Sequence, residues 1–222
     1  RGQVKKTSLE QYSRPRTNGI NAITIKEGDE LLEAKLTTGE SQVMLALKSG
    51  KAIRFEEAKT RPMGRNASGV RGITLSNDND EVIGMISVND MENNILVVSE
   101  NGFGKRSSLE DYRITNRGGK GVKTISITEK TGDLVSIKNV CDEDDLMIIN
   151  KSGIAIRMAV EDLRVMGRAT QGVKLINLKP SDSIAAVAKE MEEEEEEATS
   201  ELDSETISQV DEISGDELQN EN

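Results

Sequence analysis

Four glycines set the terms for everything else in this chain. Gly2, Gly50, Gly102 and Gly153 recur at intervals of 48, 52 and 51 residues, and turns form around Ser49-Gly50, Asn101-Gly102 and Ser152-Gly153. Four residues after each glycine stands a cation: Lys6, Arg54, Arg106 and Arg157. A second glycine follows at Gly19, Gly69, Gly121 and Gly172; the last three lie 19 residues beyond the first, and Gly19 lies 17 beyond. Further cations keep register through repeats two to four. They are Arg61, Arg113 and Arg164, then Arg65, Arg117 and Arg168, then Arg71, Lys123 and Lys174. Repeat one offers Arg14 and Arg16 near these places and Asn21 at the last. An acidic landmark, Asp29, Asp80, Asp133 or Asp182, ends a turn in each repeat. A unit of this length cannot bury its apolar face alone, so neighbouring units stack.

Between the landmarks the periodicity is that of strands. Val43, Leu45 and Leu47 alternate before one turn, and Ile53 and Phe55 alternate after it. Asn94 to Ser99 and Leu146 to Asn150 fill the same slot later. Val70, Ile73 and Leu75 lead into a turn at Ser76 to Asp80, and Val82 to Val88 returns. About four short strands per ~50-residue repeat is the length of a propeller blade. The expected fold is therefore all-β, with four four-stranded blades and repeats of about 1–49, 50–101, 102–152 and 153–189. Apolar residues at helical spacing are confined to Ile184 to Met191, the one helix-like stretch.

Charge divides the chain in two. Residues 190–222 hold 15 acids and no Lys or Arg, which leaves 25 acids against 29 bases in residues 1–189. The expectation is a mildly basic body followed by a disordered acidic tail, because a run of like charge cannot bury enough surface to fold. A basic body points to a polyanionic partner. With no His and Cys141 as the only cysteine, an intramolecular disulfide and a Cys/His zinc cluster are excluded, which fits a reducing compartment. No apolar run approaches membrane-spanning length, so no membrane partner is expected. The chain opens in mid-pattern at Arg1-Gly2, which reads as a piece of something longer.

Ile114 to Val122 is the densest stretch. Arg117-Gly118-Gly119-Lys120-Gly121 brings three glycines and two cations together, so backbone N–H groups and charge can face a phosphate. A tight charged turn between strands is the plainer reading. Scattered cations such as Lys26, Lys35 and Lys130 are accounted for by solvation of outer strand faces. Three cations kept in register through three repeats are not. They supply the regular pitch that a duplex phosphate lattice demands. Tyr12 and Tyr112, each within Leu-Glu-x-Tyr, read as packing residues rather than nucleophiles, because Thr60 and Leu163 fill that slot elsewhere. Glu143-Asp144-Asp145 reads as a solvated turn and Cys141 as a small buried residue. No nucleophile–base pair and no Walker motif is visible.

The pattern Gly-x-x-(Lys/Ile)-(Lys/Arg) followed by Arg-x-x-x-Gly-Val-(Arg/Lys) resembles the C-terminal domain of the DNA gyrase A protein. Val4-Lys5-Lys6-Thr7-Ser8-Leu9 through Ile25-Lys26-Glu27-Gly28-Asp29-Glu30-Leu31 is similar to a middle blade, and Gly64 to Ile73 and Gly167 to Val173 to later ones. The resemblance covers residues 1 to about 188. It implies a six-bladed β-pinwheel with exchanged strands, of which these are the last four blades, and a basic rim that wraps duplex DNA without sequence preference. The family's box reads Gln-(Arg/Lys)-Arg-Gly-Gly-(Arg/Lys)-Gly. Here Arg117 to Gly121 match its last five positions, while Thr115 and Asn116 replace the first two, as in an echo of the box on a later blade. The rim set implied comprises Lys5 and Lys6 with the in-register cations above and the Gly118, Gly119 and Gly121 backbone. The resemblance further implies a cytoplasmic protein that works with the gyrase B protein and a second gyrase A chain through an N-terminal part. ATP and magnesium would then sit on other domains, with no cofactor, metal or catalytic residue in this piece. Two alternatives stand beside this: the corresponding domain of the topoisomerase IV A protein, and a propeller that binds protein.

Overall fold

The computed structural model describes residues 1–190; the acidic-tail expectation for 190–222 lies outside the described residues except at Glu190, which ends a strand. Thirteen strands, β1 to β13, and three short 3-10 turns make up its regular structure. The middle repeats show the plan. In repeat two, β2 (Gln42–Leu47) and β3 (Lys51–Glu56) form a hairpin across Gly50, and β5 (Val82–Val88) returns to pair with β2. The hairpin β6 (Asn94–Ser99) and β7 (Phe103–Ser108) with β9 (Leu134–Val140) repeats this order, as do β10 (Asp145–Asn150), β11 (Ala155–Ala159) and β13 (Ile184–Glu190). A register shift recurs at one place in each: Ala46/Leu47, Val98/Ser99 and Ile149/Asn150.

A further strand of the first three sheets comes from the next repeat. β4 (Val70–Arg71) pairs with β1 (Gln3–Val4), β8 (Val122–Lys123) with β3, and β12 (Val173–Lys174) with β7. The result is two four-stranded sheets, β5-β2-β3-β8 and β12-β7-β6-β9, one three-stranded sheet, β11-β10-β13, and one two-stranded sheet, β1-β4. Repeats two to four each contribute four strands, and the four-stranded sheets form in the middle of the chain. In repeat one the counterpart of β5 lies near Leu31 to Leu36, and no described strand plays β2 to it. That stretch forms no strand, and Leu31, Leu32 and Leu36 stay exposed. The helix-like stretch from Ile184 is a strand instead, because the edge of β10 pairs with it from Ile184 to Glu190.

Each inner strand serves two interfaces, which explains its near-continuous apolar run. Met44 and Ala46 face repeat three and pack with Ile95, Val97, Leu109 and Tyr112. Leu45 and Leu47 face the other way, against Ile53, Phe55 and Ile73. Leu96 and Val98 in turn meet Leu146, Ile148 and Val160. With two phenylalanines and no tryptophan, the core is made of aliphatic layers between sheets.

Strand exchange explains the second glycine of repeats two to four and the hairpin glycines that meet the exchanged segment. A Cβ on Gly69, Gly121 or Gly172 would lie 2.5 Å from the carbonyl oxygen of Val4, Ala52 or Gly104, on the strand that receives the exchanged segment. At the hairpin turns, a Cβ on Gly50 or Gly102 would meet the Ile125 or Ile176 carbonyl at 2.9 or 2.8 Å, whereas Gly153 has nothing within 4 Å. Gly102 and Gly153 share a left-handed backbone, with φ of 80° and 86°. Gly153→Ala should cost only the conformational penalty, roughly 1–2 kcal/mol. Gly102→Ala should cost more, by about 1–3 kcal/mol of forced displacement. Chemical denaturation of the two variants checks this; equal losses would mean that the exchanged segment does not press on the turn.

Candidate functional site

The in-register cations have three different fates. The first set lies inside the fold. Arg54 is 4% exposed: its Nε donates to Gln42 Oε1 at 2.7 Å, and one terminal nitrogen donates to the Leu109 and Tyr112 carbonyls at 2.8 and 3.0 Å. Arg106, 6% exposed, donates to the Leu163 carbonyl and pairs with Asp142. Both guanidinium groups therefore reach from one hairpin to the turn that follows the hairpin of the next repeat, a 3-10 turn for Arg54 and an ordinary turn at Leu163 for Arg106. Lys6 makes the equivalent reach, with its ammonium 3.3 Å from the Glu57 carboxylate. Arg157, at the end of the series, is exposed and pairs with Asp145 at 2.6 Å and Glu190 at 3.5 Å. The expectation that Arg54 and Arg106 meet phosphate is corrected by this burial. Each donates to carbonyls 55 to 58 residues away and to a side chain of its own or the returning strand region, contacts that sequence register does not reveal.

The second set links neighbouring loops. Arg65 donates to the Asn21 carbonyl at 3.3 Å, Arg117 to the Arg71 carbonyl at 3.0 Å, and Arg168 to the Lys123 carbonyl at 2.7 Å. All three are half-buried. The glycine-rich loop is seated in the same way. The Gly118 N–H donates to the Gly72 carbonyl at 2.6 Å, Thr74 donates to the Gly118 and Gly119 carbonyls, and Gly121 presses on Ala52. The Gly118 N–H thus holds the fold and is not turned outward, while Lys120 beside it stays exposed.

Lys5 and its counterpart Lys105 form a further link, which register along the sequence shows only in part. The Lys5 ammonium donates to the Ala22 and Arg65 carbonyls, and Lys105 to those of Gly167, at 2.6 Å, and Arg168. The Gly-x-x-Lys spacing of Gly2-Lys5 and Gly102-Lys105 was the available signal. Burial lowers both lysines, with the neighbouring arginine adding to the effect, and brings Lys105 to about 8 despite the opposing pull of Asp111.

The third fate is exposure. Arg61, Arg113 and Arg164, together with Arg71, Lys123 and Lys174, stand in solvent at equivalent positions of three repeats, as do Arg14 and Arg16 in repeat one. Among the described residues, none of these side chains forms an ion pair or a hydrogen bond. Their charge is available to a ligand in full.

The other residues singled out have structural work. Asp80 accepts from the Ser49 N–H and hydroxyl and from the Ser76 N–H, and Asp182 from Asn150 and Ser152, which ties hairpin turn to returning strand. Asp144 is buried and accepts from the Cys141 N–H and Lys189, so that turn is not simply solvated. Cys141 is half-buried, and burial raises its thiol. The Tyr112 phenol is buried against Thr124 and raised by burial, a packing role. No described helix is long and apolar enough to cross a membrane.

Known proteins share this arrangement. The family model described as DNA gyrase C-terminal domain, β-propeller, matches residues 1–38, 43–89, 93–141 and 144–189. The DNA gyrase A protein of Staphylococcus aureus strain MRSA252 is 45% identical over 198 residues, which are 89% of this chain and 22% of that protein. The chain thus spans about a fifth of the length of the curated relatives it matches. A solved C-terminal domain of DNA topoisomerase IV superposes with a TM-score of 0.80 at 23% identity, over 85% of this chain and 58% of that one. A solved C-terminal domain of DNA gyrase A gives 0.75 at 24% identity, over 85% and 62%. These two likenesses concern the fold.

Lys105 makes the linking role measurable by pH. Its folded value, about 8, lies below the ordinary value of 10.5. Between these values the unfolded chain holds the proton and the folded chain does not. Stability contributed at this site therefore rises with pH across the window. Lys105→Ile, which copies Ile53 of repeat two, should remove that rise. Unfolding of parent and variant at pH 7 and 9.5 reads it out; parallel pH profiles would show that Lys105 keeps its ordinary pKa.

Proposed function

The chain belongs to the DNA gyrase C-terminal domain family, and from that premise we propose that it binds duplex DNA along the exposed cations of its repeats and bends the duplex around them. The carrying observation is the sorting of charge. Once the cations consumed in the fold are set aside, Arg61, Arg113 and Arg164 and Arg71, Lys123 and Lys174 still recur once in each of repeats two to four, solvent-exposed and without a partner among the described residues. Cations at a fixed interval match the phosphate lattice, and each contact releases condensed counterions. Backbone contact of this kind carries no base information, so binding is sequence-independent apart from the cost of bending.

In the whole protein this piece serves as the DNA-wrapping part of a gyrase A chain. It presents a bent duplex for ATP-dependent strand passage by a complex that includes the gyrase B protein and a second gyrase A chain. The 45% identity to gyrase A supports gyrase over topoisomerase IV. The cytoplasm, where the DNA is, is the corresponding compartment, and ATP and magnesium belong to the other parts of the complex.

The test is binding of a duplex by fluorescence anisotropy across salt. Affinity should fall steeply with salt, and Arg113→Ala with Arg164→Ala should lower the slope of log K against log salt by about 1 per lost contact. Arg54→Met should instead leave two buried carbonyls without a donor and cost about 1–3 kcal/mol of stability per group. Below its melting temperature that variant should keep the parent slope. A shallow slope in the parent would overturn the DNA reading and favour a propeller that binds protein.

A further inference from the structure

In repeats two to four the exposed arginine has an apolar neighbour that the core does not use. The doublets are Arg61-Pro62, Arg113-Ile114 and Arg164-Val165, with Ile114 46% and Val165 51% exposed and Pro62 also in solvent. Their backbone is fixed. Pro62, Ile114 and Val165 form parallel bridges with Lys6, Arg54 and Arg106 of the preceding repeat. The amides that follow, on Met63, Thr115 and Met166, donate to the carbonyls of the same three residues at 2.8, 2.9 and 2.8 Å. The residues that precede, Thr60, Tyr112 and Leu163, are buried. Each doublet is therefore held at both ends while both of its side chains project into water.

A single exposed apolar side chain requires no explanation. Three at one register position, on anchored backbone and each beside an unpaired arginine, form a repeated surface device. Phosphate contact alone would use the arginine and leave its neighbour free to be polar. Resting on the DNA-binding reading, we propose that each doublet engages the minor groove of the bent duplex: the arginine enters the groove and the apolar neighbour packs on the deoxyribose C–H edges that line it. Bending toward a protein surface narrows the inward-facing minor groove, where negative potential concentrates and attracts arginine. Apolar side chains are established partners of minor-groove surface in DNA-bending proteins. The apolar contact adds affinity that salt does not screen, since it depends on removing C–H surface from water. One doublet per repeat then fixes the rotational setting of the duplex, with its minor groove inward at each blade.

The experiment uses the full 222-residue chain with Ile114→Ser and Val165→Ser combined, alongside a conservative pair, Ile114→Val and Val165→Ile. Duplex affinity is read by anisotropy at several salt concentrations, with and without netropsin, a small molecule that occupies the A·T minor groove. The serine pair should lose on the order of tenfold in affinity, equally at every salt, with the slope unchanged. The conservative pair should bind like the parent. Netropsin should weaken the parent more than the serine pair. Both sites are exposed, so unfolding midpoints should match the parent and exclude a folding defect. Unchanged affinity in the serine pair, beside a parent that still binds with a steep salt slope, would overturn the minor-groove contact and leave DNA binding standing. Weakened binding with no netropsin effect would overturn it as well, by moving the apolar contact elsewhere on the duplex. Absence of salt-dependent binding by the parent would remove the reading beneath it.

Discussion

The structure depends on strands that are exchanged between repeats and are only two residues long. β4, β8 and β12 each offer a preceding sheet two ladder positions, too few to hold one blade to the next. The interface is completed by other means. Glycines let the backbones approach until a Cβ would stand 2.5 Å from a carbonyl oxygen. Cations then donate to carbonyls of the following repeat, as Arg54 does to Leu109 and Tyr112 and Lys105 does to Gly167. Aliphatic layers on both faces of β2 and β6 fill the space between sheets. A buried guanidinium fits this arrangement because it is planar, permanently charged and able to serve several acceptors at once.

That arrangement divides the basic residues into two populations with different consequences. Arg54, Arg106, Lys105, Arg65, Arg117 and Arg168 have carbonyl or carboxylate partners and determine how blades join. Arg61, Arg113 and Arg164, with Arg71, Lys123 and Lys174, have none among the described residues and determine what the surface attracts. Because Arg113 follows Tyr112 and precedes Ile114, a blade held in place by one arginine presents another a few residues on. Stiffness between blades and the spacing of surface charge are thereby coupled.

Much of the architecture was legible in the residues. Alternation in Val43 to Leu47 marked β2, the Ser49-Gly50 turn marked its hairpin, and near-equal spacing of the four glycines marked equivalent units. Less legible was the segment from Ile184. Its apolar residues suit either period, and only the free edge of β10 settled it as β13. Repeat one departs for a related reason. Its returning segment near Leu31 to Leu36 has the right composition for a strand but no described partner, and a strand without a neighbour leaves its backbone groups to water.

The period, the strand class, the turns and the family could all be read from the residues in order, because they rest on spacing along the chain and on side-chain pattern. So could the register of every cation. Which of those cations meet solvent was settled only when the chain folded. Arg54 and Arg61 are seven residues apart and equally conspicuous in the register, yet one is enclosed by the next repeat and the other stands clear of it. The enclosing carbonyls lie 55 and 58 residues farther along the chain. No local pattern encodes that distance. Burial is a property of what the fold brings alongside, and a charge is free for a ligand only where nothing in the fold has taken its hydrogen bonds.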